Sequence, residues 1–206
     1  MKTRELPQLT SAEGSATARR RRLNALPPAS LILGVDPGLH RTGYGLVRIG
    51  DAGKSSGSLV ARHSSLVTFV EAGFLKAKPT DPLPVRLKTL FDGLCEIVGE
   101  FSPDVVVVED LFSTYAHPRS ALLMAHARGV LLLAAQQSNV PVHSFLPNEI
   151  KQVVTGNGHA SKAAVQSAVK ARLNLDAIPE PPDVADALAI ALCFAARQQT
   201  VGRIIK

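Results

Sequence analysis

An α/β fold, a mixed five-stranded sheet with helices on both faces, is what this sequence predicts. Three observations carry that expectation. The first two predicted strands, at 31–36 and 42–49, are joined by a short turn, and a third follows at 66–75. From residue 83 onward, helical apolar spacing alternates with short β-type runs. Finally, Val105-Val106-Val107-Val108 is continuous apolar sequence, as in a strand covered on both faces.

The elements follow in order. Residues 31–36 (Leu-Ile-Leu-Gly-Val-Asp) read as a buried strand closed by the turn Asp36-Pro37-Gly38. A second strand runs through 42–49, beginning Thr42-Gly43-Tyr44-Gly45, and residues 51–58 have the Gly/Ser composition of a loop. After the strand at 66–75, Leu83, Leu87, Leu90, Leu94, Ile97 and Phe101 recur at helical spacing, and Ser102-Pro103 stops that helix. The Val run predicts a strand over 104–109. Pro118 opens a long helix to about 138, apolar at Leu122, Ala125, Gly129, Leu132 and Leu133. A short strand at 140–145 precedes a helix from Pro147 through Val153, which Thr155-Gly156-Asn157-Gly158 breaks. Ser161 is placed to cap a helix over 162–172, and an Ala-rich helix is expected over 183–197.

Composition narrows the class. The 206 residues suffice for one domain with a real core, at 46% hydrophobic and 19% charged. With 4% aromatics and no Trp, aliphatic side chains must build that core. No apolar run approaches the ~20 residues of a membrane span. Cys95 and Cys193 have no metal-type spacing, which fits free thiols in a reducing, cytoplasmic compartment. Residues 1–30 carry Lys2, Arg4 and Arg19–Arg22 against Glu5 and Glu13, a net charge of +4. They are expected to form a disordered basic extension, with 31–200 as the folded domain and 201–206 as a C-terminal tail. The Arg run suits either contact with phosphates or a solvated tail.

Four carboxylates are the chemical signal. Asp36 and Glu109 end buried apolar runs, and Asp183 and Asp186 open the last helix. Taken singly, each has a bland explanation. Asp36 fits a turn-capping acid. Glu109 competes with Asp110 for the inward position, because strand alternation allows only one of them. Asp183 and Asp186 fit an N-cap and first-turn pair worth about 1 kcal/mol of helix stability. Together, acids converging from three segments are expensive to desolvate unless cations compensate them. Hard oxygen ligands suit Mg²⁺ or Mn²⁺ rather than zinc. Lys151 and Lys162 flank the Gly156-Asn157-Gly158 loop, where they fit either phosphate contacts or exposed helix lysines. Phe112 is equally suited to stacking on a base and to core packing. The scattered histidines, among them His40, His143 and His159, have no ligand spacing.

These motifs resemble a known family. Gly34-Val35-Asp36-Pro37-Gly38 with Thr42-Gly43-Tyr44-Gly45 is similar to the opening of RuvC-type Holliday-junction resolvases. Val108-Glu109 with Phe112, Ala127-Arg128-Gly129-Val130, Lys151–Gly156 and Asp183–Ala191 continue the match over about residues 31–197. The resemblance implies a ribonuclease H-like fold, a homodimer and metal-dependent resolution of four-way DNA junctions by paired nicks. It implies that Asp36, Glu109, Asp183 and Asp186 bind the metals. It implies that Lys151 and Lys162 are basic active-site and DNA-binding residues and Phe112 a junction-contacting aromatic. It makes the helix containing Arg128-Gly129 the dimer helix and a branch-migration helicase complex a partner. Residues 1–30, the long stretch 50–68 and the loop Ser113–Pro118 depart from the family pattern. Physically, two ions ~4 Å apart would activate water and steady the leaving oxygen, with Asp36 bridging them and Lys162 offsetting charge on the phosphorane. A sugar-kinase-like ATPase, another nuclease of the same fold and a binding-only junction protein are the rival readings.

Overall fold

Five strands form one mixed sheet: β1 (Leu31–Asp36), β2 (Arg41–Ile49), β3 (Val67–Lys76), β4 (Val105–Glu109) and β5 (Val142–Phe145). Their order across the sheet is β3-β2-β1-β4-β5. The first three strands pair antiparallel, whereas β1–β4 and β4–β5 are parallel. The helices are α1 (Leu83–Phe101), α2 (Pro118–Gln137), α3 (Pro147–Thr155), α4 (Lys162–Leu173) and α5 (Pro182–Ile204). This computed structural model describes residues 26–27, 29–50, 67–111 and 118–204. The expected basic extension up to residue 25, most of the long 50–68 stretch and Phe112 lie outside the described residues.

Strand alternation divides the core into two layers. Ile32, Val105 and Val107 point to the face covered by α3, α4 and α5. Leu31, Leu33, Val35, Val106 and Val108 point to the face covered by α1 and α2. Both layers are aliphatic-rich, as the composition requires.

Helix ends follow local chemistry. Ser102 takes a left-handed conformation (φ 49°), and its N–H donates to the Val98 carbonyl, closing α1 before Pro103. Gly156 (φ 83°) closes α3 by donating to the Gln152 carbonyl, two residues beyond the predicted end. The Ser161 hydroxyl accepts from Ala164 N at 3.2 Å and caps α4 as expected. The last helix runs beyond 197 to Ile204, through part of the expected tail. No proline interrupts this segment, so the backbone ladder continues despite Thr200, Val201 and Gly202. β5 is shorter than predicted because Pro141 has no N–H for the ladder, although its carbonyl accepts from Val106.

Candidate active site

The carboxylates converge because of sheet register. β1 and β4 are parallel, and Val35 pairs with Val108, so the next residue on each strand is an acid. Alternation points Asp36 and Glu109 toward the α5 face. Asp110 is directed away and pairs with Arg128 of α2 at 3.0 Å. Arg128 Nε also donates to the Glu109 carbonyl at 3.1 Å, and Nη2 to Ser144 Oγ at 2.8 Å. The Arg128-Gly129 segment therefore braces the ends of β4 and β5, a role the sequence did not suggest.

The turn carrying Asp36 is cross-braced by Thr42. Buried Thr42 donates its hydroxyl to the Gly38 carbonyl at 2.8 Å and accepts from Gly38 N at 3.3 Å. A side chain at Gly38 would put Cβ 2.1 Å from the Arg41 carbonyl oxygen, so this turn requires glycine.

Helix α5 brings the second acid pair, and two strand glycines admit it. A Cβ at Gly34 would lie 2.2 Å from the Ala187 carbonyl oxygen, and one at Gly43 would lie 2.0 Å from that of Asp183. Gly43 is also the register partner of Asp36. Glycine inside a strand signals close backbone approach. That was the available sign of this groove, and sequence reasoning used these glycines only as motif letters.

Electrostatics single out Asp36 and Glu109. Burial, reinforced by Glu109, Asp186 and Asp183, holds the Asp36 carboxyl well above its ordinary range, with Lys162 opposing the shift. Burial and Asp186 push Glu109 up to about 7 against the pull of Lys151 and Lys162. Lys162 Nζ lies 2.8 Å from Asp186 Oδ2, and that hydrogen bond chiefly raises its pKa. Arg41, which the sequence did not single out, lies 3.3 Å from Asp183. Lys151, Lys162, Glu109 and Asp186 line a cleft of about 260 Å³ with Pro147, Ile150, Val165 and Ala189. Both predicted lysines thus meet the acid centre.

With Asp183 turned to Arg41 and Asp186 to Lys162, no tight preformed cage of three or more His, Cys, Asp or Glu exists among the described residues. The donor set still suits a hard divalent cation. Half-buried Asp36 faces three other acids, and a cation there would favour its ionised form. Among the described residues, the histidines named from the sequence make other contacts. His40 contacts Arg86 at 3.4 Å, His159 borders a second cleft, and half-buried His143 packs on Phe194.

Comparison with known proteins identifies the family. The family described as "Crossover junction endodeoxyribonuclease RuvC" matches residues 32–194. The RuvC endonuclease of Rhodopirellula baltica is 46% identical over 165 residues, 80% of this chain and 85% of that protein. Its counterpart from Desulforamulus reducens is 42% identical, covering 85% of this chain and 99% of its own length. Among solved structures, Thermus thermophilus RuvC in complex with a Holliday junction superposes with a TM-score of 0.69 at 32% identity. That match covers 83% of this chain and 97% of the other. The yeast mitochondrial Holliday junction resolvase Ydc2, at 18% identity and a TM-score of 0.61, shares the fold over 92% of this chain and 88% of its own. From the acid-bearing strands to α5, this chain belongs to the RuvC family of crossover junction endodeoxyribonucleases.

Proposed function

We propose that this protein resolves four-way DNA junctions by paired symmetric nicks in recombination and repair. The observation that carries the reading is the meeting of Asp36, Glu109, Asp183 and Asp186 on one sheet face, with two lysines at its rim. The junction-bound relative supports the substrate.

Mg²⁺, with Mn²⁺ able to substitute, would be held as two ions by Asp36, Glu109, Asp183 and Asp186, supplying Lewis acidity and an activated water. The residues set the stage for that chemistry. Asp36 sits at the centre of the acid set. Glu109 is anchored through its backbone by Arg128. Lys162 and Lys151 bring positive charge beside the acids, suited to a phosphate carrying extra negative charge in the transition state. Phe112, three residues beyond Glu109, is assigned to the junction crossover.

Two cuts need two sites, so the working unit is a homodimer. Helix α2 supports this with an exposed apolar face. Leu122 is 62% and Leu133 56% exposed, with Ala125 and Gly129 between them. A Cβ at Gly129 would meet nothing within 4 Å, leaving room for a second helix to approach. The site of action is the cytoplasm, with a branch-migration helicase complex as partner. Among the described residues no helix is long and apolar enough to cross a membrane.

The test maps cuts on a mobile synthetic junction and on a matched linear duplex, in Mg²⁺ and separately in Mn²⁺. Nicks at symmetric positions of the junction alone, abolished by Asp36→Asn, are expected. Equal cutting of the duplex would make it a less selective nuclease. Tight junction binding without nicks in either metal would make it a binding protein.

A further inference from the structure

One cation at the acid centre has no part in the reading above. Arg41 opens β2 on the α5 face, and its Nη1 lies 3.3 Å from Asp183 Oδ2. Its Cζ stands 5.3 Å from the centroid of the Phe74 ring. Register explains the stacking: Arg41 pairs with Lys76, and Gly43 pairs with Phe74, on adjacent strands. The arginine side chain is 43% exposed, so it stands at the rim between the acids and solvent.

Its hold on Asp183 is weak. An ion pair of this exposure is worth no more than about five-fold in an equilibrium. A guanidinium carries five N–H donors, and the Asp183 contact engages one of its nitrogens. The planar face rests on an aromatic ring, which keeps the side chain oriented when its partner changes. The surrounding rim is basic. Lys76 is the register neighbour of Arg41, and Arg86 of α1 reaches the same turn, donating to the Leu39 carbonyl at 3.2 Å. Such a rim suits a polyanion.

We propose that Arg41 is a two-position arginine coupling DNA binding to metal binding. Without DNA it holds Asp183. When the junction docks, it moves to a backbone phosphate beside the cut, and Asp183 becomes available to the metal. Arg41 is thus a positioning residue that acts through Asp183. Because linkage is reciprocal, DNA tightens metal binding by the same factor as metal tightens DNA binding. This rests on the metal-centre reading of the acids.

The test measures Mn²⁺ binding without DNA by electron paramagnetic resonance, and junction binding in EDTA across a salt series. Wild type, Arg41→Ala and Arg41→Lys are compared. Arg41→Ala is expected to bind Mn²⁺ roughly two- to five-fold more tightly, because Asp183 is released. The same variant should bind the junction on the order of ten-fold more weakly at 0.1 M salt, with a log–log salt slope shallower by about 0.9. Arg41→Lys should recover the salt slope. A merely structural arginine would lower both affinities together, and that result would overturn the proposal. Unchanged Mn²⁺ affinity in Arg41→Ala, with normal binding by wild type, would overturn it alone. No Mn²⁺ binding by wild type would overturn the metal-centre reading and this proposal with it.

Discussion

Replacing Gly34 with alanine tests how the acid centre is assembled. The added Cβ would sit 2.2 Å from the Ala187 carbonyl oxygen, 2.8 Å from Ala191 N and 3.0 Å from Ala191 Cβ. A carbon and a carbonyl oxygen ordinarily meet at roughly 3.3 Å or more. Helix α5 must therefore retreat by about 1 Å, because the clash is with backbone and no side chain can rotate away. Overpacking of this kind costs about 1–3 kcal/mol, or a Tm lower by roughly 2–12 °C for a domain of this size. Asp183 and Asp186 ride on the displaced helix, and a 1 Å misplacement of catalytic groups costs on the order of 100-fold in rate. The assay is single-turnover junction nicking in saturating Mg²⁺, with junction affinity measured separately in EDTA. A folded Gly34→Ala protein should bind the junction normally and cut about 100-fold more slowly. Gly99→Ala is the control, since its Cβ would meet nothing within 4 Å and the helix it joins should gain about 0.5–1 kcal/mol. A wild-type rate and Tm for Gly34→Ala would refute the claim that close helix approach sets the acid geometry.

Further outcomes follow from the same geometry. Glu109 has its pKa raised from 4.5 to about 7, so the folded state holds a proton that the unfolded chain releases. In EDTA, the stabilising contribution is present below pH 4.5 and is lost as pH rises toward 7, at most about 3 kcal/mol. Urea titrations at pH 5 and pH 8 check this, and Glu109→Gln should flatten the dependence. Lys162→Ala should lower the nicking rate roughly 100- to 1,000-fold with little change in junction affinity. Equal loss of both would make Lys162 chiefly a DNA anchor. Leu122→Glu combined with Leu133→Glu should give a folded monomer in sedimentation. A persistent dimer would place the interface elsewhere than α2.

Much of this arrangement was legible in the sequence because it depends on local pattern. Apolar runs ended by Asp36 and Glu109 marked two strand ends, and the i, i+3 acids marked a helix mouth. Proline, glycine and a capping serine marked most boundaries. Register was not legible, since it joins β1 to β4 across about seventy residues. The choice between Glu109 and Asp110 could therefore not be made from alternation alone, and the structure resolves it through the Asp110–Arg128 pair. Arg41 was hidden for the same reason: its meaning comes from Asp183, far along the chain. The glycines of the α5 groove carried a readable sign, but the motif drew attention to the acids beside them. Phe112 lies outside the described residues, so its assignment rests on the resemblance.

The central claim is that these four acids form one cation-dependent cutting centre. The most direct measurement is the anomalous scattering of Mn²⁺ in crystals of the protein bound to a junction. The account predicts two peaks per protomer, each about 2.0–2.3 Å from oxygens of Asp36, Glu109, Asp183 or Asp186, with the scissile phosphate between them. A fully bound junction with no Mn²⁺ among these carboxylates, or with Mn²⁺ held by other residues, would contradict it.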